Sequence, residues 1–145
     1  MALTFDPLWQ AYTDLLVKFP DGHPCSQPWA NQCAIRMSIV LAAGGIKLSN
    51  YTEPKCKHGH ARGAESLANW LWKMQLGRPK IYAEPATGKE RLKNSRGLLF
   101  FKNCFTRDGE TVQVGDHFDL WNKGEVKTYD DPKNRAQQLW FWELA

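Results

Sequence analysis

A cysteine at the start of an apolar helix is the first feature of this sequence that could do chemistry. Asn31 can cap a helix that extends to about Ala43 and is apolar nearly all round, which predicts a position inside the fold. Cys33 falls in the first turn of this helix, where backbone N–H groups and the positive end of the helix dipole stabilise a thiolate. The same N–H groups can bind an oxyanion, so Cys33 is a candidate nucleophile. The competing interpretation is an inert core cysteine.

A thiol nucleophile needs a base, and His117 is the histidine best placed to supply one. It begins the alternating segment 117–121, which predicts a strand with Phe118 and Leu120 facing the core. The other face, which carries His117, would then line a cleft against the start of the Cys33 helix. A surface histidine on an edge strand is the competing interpretation. A cysteine at a helix start followed by a histidine on a strand is the arrangement of papain-like cysteine hydrolases.

Two aspartates could orient the imidazole of His117. If 123–124 form a two-residue turn, counting outward from the turn places Asp130 opposite His117 on the same face of the hairpin. A three-residue turn would place Tyr129 there instead. Asp119, two residues along the same strand as His117, is the rival orienter. For either aspartate, a solvated charge near a turn is the competing interpretation.

The elements that must position these residues are helices first and strands afterwards. The patterns predict three helices, at about 7–18, from the Asn31 cap to about 43, and at 64–76. A polar, turn-rich segment follows at 83–97. Strands are predicted at about 98–101, 112–114, 117–121, 125–130 and 139–142. This order predicts an α+β fold in which N-terminal helices pack on an antiparallel sheet. We expect one domain over residues 1–145.

Composition limits the classes of protein that remain. The chain has 145 residues, of which 43% are apolar and 23% charged, so a disordered chain is excluded. The longest apolar stretch, 39–46, is far shorter than the roughly 20 residues that span a bilayer. The net charge of +4 is too small to indicate nucleic acid. We therefore expect neither nucleic-acid binding nor membrane insertion. The first residues show neither a basic region nor an apolar segment of signal-peptide length, which predicts no general secretory export.

Three segments resemble a known family. The segments 31–38 (NQCAIRMS) and 115–122 (GDHFDLWN) are similar to the two signature blocks of the type VI secretion amidase effectors, family four, and 58–68 (HGHARGAESLA) also resembles that family. The resemblance implies an NlpC/P60-like, papain-type domain with Cys33 as nucleophile and His117 as base. It places an acidic third member on the strand after the histidine strand, which favours Asp130. It implies no metal and no organic cofactor.

The resemblance also implies a biological role. Such effectors are made in the cytoplasm, exported by the type VI secretion machinery and delivered into the periplasm of rival Gram-negative bacteria. There they act as amidases that cut the peptidoglycan stem peptide between D-glutamate and meso-diaminopimelate. The implied partners are the stem peptide, the secretion machinery and a cognate immunity protein that blocks the cleft.

Two other functions compete with a hydrolase. Cys56, His58 and His60, with His23 and Cys25 upstream, could build a zinc site, although they crowd into one loop and no Cys-x-x-Cys pair exists. A non-enzymatic wall-binding module is the second alternative, because seven tryptophans could stack on sugars.

The remaining cysteines leave a further question open. In an oxidising periplasm, one disulfide could form among Cys25, Cys56 and Cys104, and the sequence does not choose the pair. Cys33 must stay reduced if it is the nucleophile.

Overall fold

The described part of the chain carries most of its helices in the first half and most of its strands in the second. The computed structural model describes residues 3–25, 32–106, 113–128 and 136–145. In chain order the elements are α1 (Phe5–Lys18), α2 (Cys33–Ala43), α3 (Ala64–Trp70), a π-helical segment (Leu71–Leu76), β1 (Lys80–Tyr82), α4 (Pro85–Arg91), β2 (Arg96–Thr106), β3 (Gln113–Asn122), β4 (Glu125–Val126) and β5 (Gln138–Glu143). No helix within these ranges has the length and hydropathy needed to cross a bilayer.

The strands form one sheet in which every described pairing is antiparallel. The strand order is β1-β5-β2-β3-β4, so β2 is central and pairs with both β3 and β5. The β2–β3 register places Phe101 opposite His117 and Leu99 opposite Asp119. The α+β class with an antiparallel sheet, predicted from the sequence, is therefore confirmed.

The sheet has an apolar core on each face. The larger core lies between the sheet and helices α1, α2 and α3, and Phe118 and Leu120 belong to it. The smaller core lies on the opposite face, next to α4, and contains Leu99, Phe101 and Trp121. Strand alternation explains this division, since successive side chains of β3 point to opposite faces.

The turn between β3 and β4 has two residues, which is the first of the two alternatives that the sequence left open. Asn122 pairs with Glu125, and the turn residues Lys123 and Gly124 have φ values of 50° and 103°. Two positive φ angles are typical of the type I′ turn, whose twist matches that of the flanking strands.

The strand predicted over 125–130 is too long, because β4 ends at Val126. The N–H of Thr128 donates to the Asp119 carboxylate, and the N–H of Lys127 donates both to that carboxylate and to the carbonyl of Leu120. The Asp119 side chain thus shares the Lys127 N–H with the β3 backbone and accepts the N–H of Thr128, directly after the end of β4. Residues 129–130 lie outside the described residues.

Segment 80–91 contains two elements that the sequence patterns did not predict. These are β1 and the seven-residue α4, which begins with Pro85. Gly88 lets α4 approach the sheet, because a Cβ atom there would lie 2.9 Å from side-chain atoms of both Leu139 and Tyr82. Such a short helix has no clear apolar period, so its existence depends on this packing.

A buried arginine joins α2 to α1. Arg36 is 5% exposed; its Nε donates to the Tyr12 hydroxyl at 2.9 Å, and its Nη1 donates to the Gly22 carbonyl at 2.8 Å. These bonds satisfy a charge that would otherwise be costly to bury. They also hold the first half of α2 in place, which is where Cys33 lies.

Candidate active site

Cys33 is the first residue of α2 and is almost fully buried. Its side chain is 1% exposed, and its Sγ contacts the backbone carbonyl of Asp116 on β3 at 3.8 Å. The first hydrogen bond of the helix runs from the Arg36 N–H to the Gln32 carbonyl at 2.8 Å. The N–H groups of residues 33–35 precede that bond, so they lie at the positive end of the helix dipole.

His117 joins Cys33 to a carboxylate. Its Nε2 lies 2.8 Å from Oδ2 of Asp119, and the imidazole also forms a side-chain hydrogen bond with Cys33. The His117 and Asp119 side chains are 1% and 0% exposed, respectively. The ring of Phe101 packs beside the imidazole, with the ring centroids 5.6 Å apart. The three polar side chains thus form a buried thiol–imidazole–carboxylate chain.

The Asp119 carboxylate is held by donors from β3 and from the two residues directly after β4. Its Oδ1 accepts the N–H groups of Leu120 at 2.8 Å and Lys127 at 3.0 Å. The Thr128 hydroxyl donates to Oδ2 at 2.6 Å, and the Thr128 N–H lies 3.3 Å from both oxygens. Such a set of donors fixes the orientation of the carboxylate toward His117.

The neighbours of His117 change its titration. Burial by itself lowers the pKa of His117, but the hydrogen bonds and charges of Asp119 and Cys33 outweigh it and raise the pKa from 6.5 to about 10. The site therefore favours a protonated imidazole, which lies between Asp119 and Cys33. A cysteine thiolate beside an imidazolium is the activated form of a thiol nucleophile.

The position of Cys33 relative to the two faces of β3 adds a detail to the prediction. Phe118 and Leu120 do face the core, but the core on their side is the one that contains α1–α3 and Cys33 itself. Its Sγ contacts the backbone carbonyl of Asp116 on β3, and the His117 side chain still reaches it through a hydrogen bond.

The structure brings together Cys33 and His117, and it places Asp119 at the imidazole nitrogen. Asp130 lies outside the described residues. Thr128 was not identified from the sequence as part of the site. Counting outward from the two-residue turn places Thr128 opposite Asp119, so the signal was available.

A second group of thiols and imidazoles lies apart from Cys33, His117 and Asp119. Cys25, Cys56 and His58 offer three ligand atoms that all lie within 4.8 Å of one another, a spacing that a metal ion could use. All four cysteines lie in the described part of the chain, and none of them forms a disulfide.

The fold is shared with solved amidase effectors. The chain matches the Tae4 chain of the Enterobacter cloacae effector–immunity complex Tae4–Tai4 with a TM-score of 0.73, at 17% identity and with 100% of both chains covered. It matches the Salmonella typhimurium Tae4/Tai4 effector–immunity system with a TM-score of 0.71, at 18% identity and again over 100% of both chains. The Enterobacter cloacae Tae4 structure gives a TM-score of 0.72 at 16% identity, covering 100% of this chain and 98% of the other.

The sequence comparisons give the family. No similar sequence was found among curated proteins. The family model described as Tae4, type VI secretion system (T6SS), amidase effector protein 4, matches residues 29–142, a range that contains Cys33, His117 and Asp119. The chain therefore belongs to the Tae4 family of type VI secretion amidase effectors, which makes it a peptidoglycan hydrolase of the effector class.

Proposed function

We propose that this protein is a cysteine amidase in which Cys33 is the nucleophile, His117 the general base and acid, and Asp119 the residue that orients the imidazole. The observation that carries this proposal is the position of His117, which hydrogen-bonds to Cys33 and, through Nε2, to Asp119. A nucleophile, a base within hydrogen-bond reach and a group that fixes the base are the three parts of a papain-type site.

The reaction follows from these positions. The Cys33 thiolate attacks the carbonyl carbon of the substrate amide, and the N–H groups at the start of α2 stabilise the oxyanion. Protonated His117 gives its proton to the leaving amine as the C–N bond breaks, which leaves an acyl-enzyme thioester. Neutral His117 then takes a proton from water, whose oxygen attacks the thioester and releases the carboxylate and the thiol.

We propose the peptidoglycan stem peptide as the substrate and the bond between D-glutamate and meso-diaminopimelate as the one cleaved. This assignment rests on family membership and on the resemblance of the segments that contain Cys33 and His117. The stem peptide carries several carboxylates, so the net charge of +4 provides a mild attraction. On this proposal the chain is one papain-like, NlpC/P60-type domain.

The family also supports a proposed site of action and a proposed partner. The protein would be made in the cytoplasm, exported by the type VI apparatus and active in the periplasm of target bacteria. The Enterobacter and Salmonella relatives were solved in complex with Tai4, an immunity protein. We expect a cognate immunity protein for this chain as well.

Digestion of purified sacculi, with mass analysis of the soluble fragments, tests the activity and the bond together. Wild-type protein should release fragments cut after D-glutamate. We expect Cys33→Ala to lower the rate by at least about 10⁴-fold, because the nucleophile is lost. Equal turnover by wild type and Cys33→Ala would contradict the mechanism, and wall binding without cleavage by both would favour a binding module. A different cut site would contradict only the assigned bond.

The third member is tested by a matched pair of variants, Asp119→Asn and Asp130→Asn. Losing the carboxylate that orients the base should lower kcat by on the order of 10²–10⁴-fold, so Asp119→Asn should be nearly inactive while Asp130→Asn keeps most of its activity. Thermal unfolding of both variants controls for misfolding. The opposite ranking, with both proteins folded, would assign the role to Asp130.

A further inference from the structure

We propose that Cys25, Cys56 and His58 form a binding site for a thiophilic divalent cation, with Zn²⁺ as the expected ion. The three ligand atoms lie within 4.8 Å of one another, and Cys25 Sγ is 4.0 Å from Nδ1 of His58. In a tetrahedral zinc site with metal–ligand bonds of about 2.0–2.3 Å, neighbouring ligand atoms are about 3.3–3.8 Å apart. Small side-chain rotations would close the remaining difference.

A tight turn brings two of the ligands to the same place. The N–H of Cys56 donates to the His60 carbonyl at 2.8 Å, and the N–H of Gly59 donates to the Cys56 carbonyl at 2.9 Å. Gly59 has a φ of 84°, a conformation that favours glycine. This turn also positions His60, whose Nδ1 lies 3.7 Å from Cys56 Sγ and makes it the nearest candidate for a fourth ligand.

The third ligand comes from a different segment that is itself held firmly. The Gln32 side chain binds the backbone of Cys25 twice, accepting its N–H at 3.0 Å and donating to its carbonyl at 2.9 Å. Gln32 directly precedes Cys33. An ion held by Cys25 and the 56–60 turn would therefore connect that turn to the start of α2.

The chemistry of the donors selects the ion. Two thiolates and an imidazole are soft and borderline ligands, which suit Zn²⁺ better than Mg²⁺ or Ca²⁺. The thiols are 3% and 5% exposed beside Ile35, which shields the S–metal bonds, while His58 and His60 line a surface cavity of about 550 Å³ between α1 and α2 that gives an ion access. Binding releases the two thiol protons.

The test measures metal directly, so its result does not depend on amidase activity. Reduced full-length protein is incubated with ZnCl₂, desalted and analysed for zinc per chain, and Co²⁺ is used as a spectroscopic probe. We expect one equivalent of zinc and a thiolate-to-cobalt charge-transfer band. Cys25→Ser and Cys56→Ser should lose both, and His58→Asn should weaken affinity by roughly 10-fold or more. Saturating zinc should raise the Tm by roughly 5–10 °C.

Two controls separate this site from the other thiols. Cys104→Ser removes a buried cysteine of the other core, and Cys33→Ala removes the proposed nucleophile; both should keep the full equivalent of zinc. The proposal would be overturned by sub-stoichiometric zinc in the wild type or by zinc loss in either control. Mass spectrometry showing a Cys25–Cys56 disulfide that forms readily in place of metal binding would also overturn it.

Discussion

At the scale of single residues, the site depends on one imidazole that serves two partners. His117 contacts Cys33 and Asp119, and the Asp119 carboxylate is in turn held by donors that include the hydroxyl and N–H of Thr128. Each group in this chain limits the orientation of the next. These donors hold the carboxylate in the position from which it accepts a hydrogen bond from the imidazole.

The raised pKa of His117 predicts how stability changes with pH. Because the folded-state pKa of about 10 lies above the ordinary value of 6.5, protonated His117 stabilises the fold. This contribution is complete below pH 6.5 and is lost as the pH rises through about 10. We expect wild-type Tm to fall more over this range than the Tm of His117→Gln.

Thermal unfolding of both proteins across this pH range provides the measurement. Subtracting one profile of Tm against pH from the other removes the titration of the lysines and tyrosines that both proteins share. Parallel profiles would show that His117 is not charged in the folded protein. In Asp119→Asn the imidazole loses a partner that raises its pKa, so the loss of stability should begin at a lower pH.

At the scale of elements, the close contact of β2 with β5 depends on a glycine. A Cβ atom at Gly97 would lie 2.0 Å from the backbone carbonyl oxygen of Trp142, so a side chain there would force the strands apart. We expect Gly97→Ala to lower the free energy of unfolding by about 1–3 kcal/mol.

Urea unfolding of Gly97→Ala, with Gly63→Ala as a matched control, checks this prediction. At Gly63 the nearest heavy atom to the added Cβ is the Ser66 hydroxyl oxygen at 3.4 Å, an ordinary contact. We expect that control to change stability by less than about 0.5 kcal/mol. Equal effects of the two substitutions would mean that β2 and β5 can separate without cost.

Comparing the elements with the sequence shows which helices and strands could be predicted. The helices around Leu8 and Val40 and the strand at 117–121 were predictable, because each is long enough to show an apolar period. The short β1 and α4 were not, because three and seven residues hold too little pattern. The end of β4 at Val126 was also missed, since it depends on an Asp119 side chain that competes for backbone N–H groups.

At the scale of the whole molecule, the sheet is covered on both faces and β2 lies at its centre. Stability should therefore be greatest in the middle strand and least at the short strands β1 and β4. In hydrogen-exchange mass spectrometry, we expect amides of residues 98–101 to exchange at least about tenfold more slowly than those of 80–82 and 125–126. Uniform exchange across the sheet would show that the molecule opens as one unit.

The sequence by itself determined the α+β class and the three segments whose resemblance indicated the family. These features depend on local periodicity and on residues that are contiguous in the chain. The choice between a two-residue and a three-residue turn stayed open. The sequence could not decide whether Asp119 or Asp130 orients His117. Counting the register outward from the turn holds only as far as the strand extends, and β4 ends at Val126.

Only the tertiary structure decided that Asp119 contacts His117 and that Cys33 meets β3 at the carbonyl of Asp116. It also brought Cys25 to a turn 31 residues further along the chain, close enough to Cys56 and His58 for one ion. The physical reason is the same in each case. Some of these contacts are made by side chains that replace or supplement backbone pairing, and others join segments that are distant in the sequence. In both kinds, packing and not sequence spacing sets the geometry.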